Sequence, residues 1–243
     1  MPANSNFQQA IREAQSSAIV GPNVINNALP YVGGGMVLTG FGVIGGLATM
    51  GTPIHGPLTL VAFIASWVLF FMSSSAANNA NNSKALPLLA SFSLVTGFML
   101  STIVAYATAV AGVGAIGTAA FATGITFVIA SQVGSKMSDN VGQSLQKTVG
   151  LGLVGLIIAM VFQIIGGFFA PGMFGGSGLE LMIAGFGTVL FVGMSFVDFY
   201  TMPRRYNDEQ YLAGALGMYL TYINLFVFVL RLIIALQGGG RRD

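Results

Sequence analysis

The sequence predicts an all-α, polytopic membrane helix bundle with seven transmembrane helices. Three observations predict it. Of 243 residues, 54% are hydrophobic and only 7% charged, against about 25% charged in a soluble domain. Between Glu13 and Lys136 the only charged side chain is Lys84, and a stretch that long with one charge belongs in hydrocarbon. The chain also divides into apolar runs of about 20 residues, the length a spanning helix needs. This composition excludes an ordinary soluble enzyme and intrinsic disorder, which needs low hydrophobicity and high charge.

Seven segments follow in order: Tyr31–Met50, Leu58–Ala77, Leu86–Tyr106, Val113–Val133, Val149–Phe169, Leu179–Thr201 and Tyr211–Leu236. Gly51-Thr52-Pro53 and Pro171-Gly172 read as tight uncharged turns, and Asn78 to Lys84 as an Asn/Ser-rich loop. Ser135 to Lys147 and Met202 to Gln210 read as charged loops. The chain therefore divides into a polar N-terminal tail (1–28), a transmembrane domain (29–237) and a short C-terminal tail (238–243). The tail has no basic run leading into a short apolar core, so no cleavable signal peptide is expected. Asn6 to Ile19 reads as a helix with Phe7, Ile11 and Ala14 on one side, either lying at the surface or serving as a docking handle.

Charge sets the expected orientation. Arg12, Lys84, Lys136, Lys147, Arg204 and Arg205 fall on one side of the membrane, and the opposing loops hold no Lys or Arg. The positive-inside rule puts the N-terminus and these loops in the cytoplasm, and a bacterial plasma membrane is the expected location. Arg241 and Arg242 depart from the pattern if the seventh segment spans; a re-entrant seventh segment is the alternative. Gly42 and Gly46 form a GxxxG spacing that suits close helix packing, and Gly33-Gly34-Gly35, Gly150/Gly152/Gly155 and Gly166-Gly167 read as further contact points.

The chain has no cysteine and one histidine, which leaves no basis for a thiolate or multi-histidine metal site. A serine protease would need a Ser–His pair inside the bundle, but His55 sits at a turn between Pro53 and Pro57, read as an interface histidine. The glycines lie inside apolar helices and form no phosphate loop. No enzyme activity, cofactor, metal site or nucleic-acid partner is expected, and the lipid bilayer is the expected surrounding. Ionisable groups in the spanning segments carry the functional interest, because they are costly there. Asp198 near the end of segment six has two open readings: an anchor to Arg204 or Arg205, or a titrating gate or ion ligand. Glu180 shares its helix face about 27 Å away, so the two cannot form a dyad; it reads as an exposed carboxylate or a negative mouth. Segment seven carries Thr221, Asn224 and Arg231 in a polar stripe, with Arg231 either snorkelling outward or pairing with Glu180.

Phe196-Val197-Asp198-Phe199-Tyr200-Thr201, followed after a short charged loop by Ala215 to Arg231 (reading Leu220-Thr221-Tyr222-Ile223-Asn224-Leu225-Phe226 at its centre), resembles the Bax inhibitor-1 family. Phe121 to Lys136 is similar to the family's fourth helix. The resemblance implies a bundle with helix seven central and a pH-sensitive leak of calcium or protons. It implies that two aspartates share a proton near the cytoplasmic mouth, and close carboxylates titrate as a unit. Asp198 matches the first aspartate; Thr221 stands at the second, a hydroxyl that can hydrogen-bond the acid but cannot act as another acid. The gate and ion path implied are Asp198, Thr221 and Asn224, with Arg204, Arg205, Arg231 and Glu180 as accessories. The Gly240-Arg241-Arg242-Asp243 ending and the hydroxyl resemble the family's bacterial YccA branch. That branch implies an alternative: a non-conducting regulatory or assembly partner of a membrane complex or a membrane-bound quality-control protease.

Overall fold

A computed structural model describes residues 18–169 and 177–239. Seven long helices cross the molecule: α1 (Val24–Thr49), α2 (His55–Asn78), α3 (Asn82–Ala111), α4 (Val113–Gly134), α5 (Asp139–Phe169), α6 (Ser177–Arg205) and α7 (Tyr211–Gly239). All seven are long and apolar enough to span. In hydrocarbon a helix satisfies every backbone polar group within itself, which is why apolar runs of this length become helices. The Asn6–Ile19 helix reading falls almost wholly outside the described residues, as do the Pro171-Gly172 turn and the Arg241–Asp243 ending.

Five boundaries differ from the sequence reading by four residues or more; two are helix ends, with α3 running on to Ala111 rather than Tyr106 and α6 to Arg205 rather than Thr201. α1 begins at Val24 rather than Tyr31, and α3 at Asn82 rather than Leu86, so Pro30 and Pro87 lie inside helices. Each proline sits in the second turn, just past the unpartnered N–H groups of the helix start, so each forgoes one i→i−4 backbone hydrogen bond. α5 begins at Asp139, so most of the Ser135–Lys147 loop is helix. Hydropathy misses such a start because the 31-residue helix is ~46 Å long and outruns the ~30 Å hydrocarbon core; its polar first turns protrude. Asp139 there complements the helix dipole. α3 and α4 are joined by Gly112 alone, whose φ of +78° favours glycine.

α7 is the central helix. It packs against α1, α2, α3, α4 and α6, whereas α5 packs chiefly on α6. α7 runs unbroken for 29 residues, which removes the re-entrant alternative, since that requires a turn inside the segment. Its faces fill the main core with Leu212, Leu216, Met218 and Tyr219 against Val24, Val32 and Phe92. Tyr219 and Thr39 share a buried hydrogen bond of 2.7 Å that ties α7 to α1. Around this centre, large apolar side chains such as Phe41, Trp67, Leu151 and Val189 face outward, as a lipid-facing surface should.

The α1–α3 crossing depends on glycine. A Cβ on Gly42 would run into the Leu94 carbonyl, and one on Gly97 into the Thr39 carbonyl. Small residues let the backbones meet, so the GxxxG reading of α1 holds at Gly42 and Gly46. Of the further contact points, Gly35 meets Tyr219 and Gly152 meets Leu190, but Gly33, Gly34, Gly150, Gly155 and Gly167 make no such contact, since an added Cβ there would meet nothing.

One end of the bundle is cross-linked by polar loops. Asn23 donates to Asp208 through its backbone N–H and side chain, at 2.8 and 3.1 Å. Gln210 donates to the Asn78 carbonyl at 2.7 Å, and Asn82 to that of Glu209 at 2.9 Å. Asn207 and Gln210 form a reciprocal capping box. The Met202–Gln210 stretch is therefore an ordered corner. Lys84, Lys136, Arg204 and Arg205 all lie at this end, as the alternation of helix direction requires.

Candidate functional site

The last two helices carry the chemistry. On α6, Ser195, Val197, Phe199 and Tyr200 are buried among neighbouring helices. Asp198 is buried with them, at 9% exposure, and its Oδ2 is sealed from solvent with no hydrogen-bond partner among the described residues. Asp198 lines a cavity of about 450 Å³ between α5, α6 and α7. Gln146 and Gly150 of α5 form one wall, Gly217, Thr221 and Asn224 of α7 the other, and Arg205 lies at the rim. Added Cβ atoms at Gly150 and Gly217 would meet nothing, so these glycines hold the space open instead of serving contact.

Thr221 faces the carboxylate across this space. Its hydroxyl is aimed at the Gly217 carbonyl at 3.4 Å, a long and weak bond for an O–H donor, so it is free to turn toward Asp198. Asn224 donates to the Leu220 carbonyl at 2.8 Å, which leaves its side-chain oxygen as an acceptor. The structure thus brings Asp198, Thr221 and Asn224 to one cavity.

The arginines distribute differently. Arg204 pairs with Asp139 at 3.1 Å, donates to the Tyr200 carbonyl at 2.7 Å and stacks 4.0 Å from the Tyr200 ring centre. Tyr200 also donates to Asp139, at 3.1 Å. This cluster fastens the start of α5 to the end of α6. Arg205 lies over the Tyr206 ring. Neither arginine forms an ion pair with Asp198 among the described residues, so the anchoring reading of that acid is not what the structure contains.

At the opposite end Glu180 is a partner, not an exposed carboxylate. Arg231 grips it with two parallel bonds, Nε to Oε1 at 2.7 Å and Nη2 to Oε2 at 2.9 Å. Gln163 of α5 adds a third at 3.0 Å. This fork geometry is the strong form of an arginine–carboxylate contact. Arg231 therefore does not snorkel; it links α6, α7 and, through Gln163, α5. His55 sits at the α1–α2 turn, 2.9 Å from Thr49 Oγ1 and tilted against Phe98, as an interface histidine would.

Sequence reasoning missed Tyr222 and Asp139. The Tyr222 hydroxyl is buried beside the Asp198 region with no hydrogen-bond partner among the described residues, while its ring packs 4.4 Å from Phe127. A tyrosine next to Thr221 in an otherwise apolar helix was the available signal. Asp139 gave none, because its partner lies 65 residues away. Among the described residues no three His, Cys, Asp or Glu side chains converge to hold a metal ion.

A family model described as "Inhibitor of apoptosis-promoting Bax1" matches residues 21–238. The uncharacterized protein YrjE of Lactococcus lactis is 29% identical over 191 residues, covering 74% of this chain and 75% of that protein. An uncharacterized membrane protein of Streptococcus pyogenes serotype M1 is 31% identical over 190 residues, 75% of this chain and 74% of its own. Bax inhibitor 1 of Schizosaccharomyces pombe is 37% identical over 61 residues, 25% of this chain and 23% of that protein.

Proposed function

This chain belongs to the Bax inhibitor-1 family, and on that premise we propose that it is a pH-influenced leak for protons or calcium whose gate is the single acid Asp198 opposite Thr221. The observation that carries the reading is the buried, unpartnered Asp198 oxygen beside an open cavity. An intramembrane carboxylate with no ion-pair partner among the described residues is a functional group by default.

The cavity chemistry favours protons. Asp198 is the only carboxylate lining the cavity among the described residues, and the other oxygen-bearing side chains there, such as Thr221, Asn224, Gln146 and Thr201, are neutral, whereas calcium takes six to eight oxygens, carboxylates prominent among them. Calcium would have to keep much of its water, and one carboxylate offsets little of its dehydration. A proton needs only one acid and a neighbouring hydroxyl that can accept or donate. The charge on Asp198 then sets whether the site is a neutral plug or an anion that draws cations in, which is the source of the pH influence. The orientation proposed puts the basic, cross-linked end in the cytoplasm of a bacterial plasma membrane, as the charge asymmetry favours.

Purified protein in sealed vesicles tests this. A proton or calcium flux above that of protein-free vesicles, altered by Asp198→Asn, is expected. Flux equal to the lipid background at every pH eliminates the leak. The second reading, a regulatory or assembly partner of a membrane complex or a membrane-bound protease, draws on α5. That helix is the least buried of the seven and leaves one side to the surroundings. Site-directed crosslinking from Leu151 or Val154, both exposed on α5, should trap a partner in native membranes if this reading holds.

A further inference from the structure

Lys84 is the only charge in the long stretch from Glu13 to Lys136, and neither the gate nor the bundle core uses it. It forms no ion pair among the described residues. It lies on an open trough of about 500 Å³ at the α2–α3 corner, with Phe71, Met72, Ser75, Asn79 and Asn81. The trough has two halves. Its upper half is polar: the Asn81 side-chain oxygen is taken by Ser83 Oγ at 3.0 Å and the Lys84 N–H, so its amide N–H groups remain as donors beside the Lys84 ammonium. Its lower half is apolar and opens onto an aromatic ladder on the outer face of α2. Phe71 stacks on Trp67 at 6.1 Å and Trp67 meets Phe63 edge-on at 6.4 Å. All three rings are about half exposed, at 61, 53 and 49%, although nothing in the bundle packs on that face to explain three aligned rings.

From the geometry we infer that this corner binds an anionic phospholipid: the phosphate at Lys84, Asn79 and Asn81, and one acyl chain against Phe71 and Trp67. The dimensions agree. Phe71 lies ~12 Å below Asn79 along the helix axis and Trp67 ~18 Å below it, which spans the depth from a headgroup into the ~15 Å hydrocarbon leaflet. The charge agrees too, because the trough lies at the basic end of the bundle, where a cationic pocket between helices suits an anionic headgroup. Water does not compete for the lower half, which offers it no polar partner.

The protein carries its own probe, since Trp67 is the sole tryptophan. The protein is placed in phosphatidylcholine vesicles containing a small fraction of either phosphatidylglycerol or phosphatidylcholine brominated mid-chain, and Trp67 quenching is compared. The brominated anionic lipid should show about a fivefold apparent preference, the factor that ~1 kcal/mol from one lysine supplies. Lys84→Gln should bring the two lipids level, Lys84→Arg should keep the preference, and Lys136→Gln, at the same end but outside the trough, should leave it intact. Equal quenching by both lipids in the native protein overturns the site. An equal loss in Lys84→Gln and Lys136→Gln overturns it in favour of diffuse attraction. Millimolar inorganic phosphate should leave the preference in place; its abolition would mean that the corner takes free phosphate and not a lipid. Helical circular dichroism of each variant separates lost binding from lost fold.

Discussion

α6 carries two carboxylates on one face, and they have opposite fates. Glu180 at one end is held by both arms of Arg231 and by Gln163. Asp198 toward the other end is buried more deeply, yet Oδ2 has no partner among the described residues. Both ends face the same pair of helices, α5 and α7. The difference teaches that burial alone does not assign a role to an intramembrane acid; the count of its partners does. A fully satisfied carboxylate fastens helices together. An unsatisfied one costs stability and persists only where something other than stability retains it. Two tyrosines of α7 repeat the contrast: Tyr219 is bonded to Thr39, and Tyr222 has no hydrogen-bond partner among the described residues.

The largest expected effect lies at the paired end. Arg231→Ala leaves Glu180 half-buried without its cation and should cost about 3 kcal/mol, the lower end for breaking a buried pair. Thermal unfolding in detergent reads this directly, and the double variant Glu180→Gln with Arg231→Met should recover much of the loss. If Arg231→Ala unfolds at the native temperature, the pair is ornamental and the comparison fails. The next effect has the opposite sign. Asp198→Asn replaces a buried ionisable carboxyl with a neutral amide of the same shape and should hold or raise stability, by about 1 kcal/mol. A loss as large as that of Arg231→Ala would make Asp198 structural. The smallest effect is at the Asp139–Arg204 clamp. Asp139 is 42% exposed there, so solvent screens the pair, and Arg204→Gln should cost no more than about 1 kcal/mol. Its consequence should be local: faster backbone hydrogen exchange in the first turns of α5, with α7 unchanged.

Much of this was legible beforehand. Segments two, four and seven match their helices closely, and the glycine contact at Gly42 and Gly46 was readable from spacing. The shared face of Asn224 and Arg231 followed from seven-residue spacing, and Glu180 stood among the partners open to Arg231. The start of α5 was illegible because hydropathy reports where a helix is apolar, not where it begins. Asp139 was hidden because its partner is distant in sequence, and Gly150 and Gly217 because an open space leaves no pattern along the chain.

The number of crossings and the end at which the basic loops gather can be read along the chain. Both are local properties: about twenty apolar residues in a row must satisfy their backbone within a helix, and each crossing reverses direction. Which polar groups are satisfied depends instead on how the helices pack. Pairing requires side chains from different helices to meet within about 3 Å, and helix rotation and tilt, fixed by packing around α7, settle that. Thus Arg231 reaches Glu180, Arg204 reaches Asp139, and Asp198 is left facing a cavity.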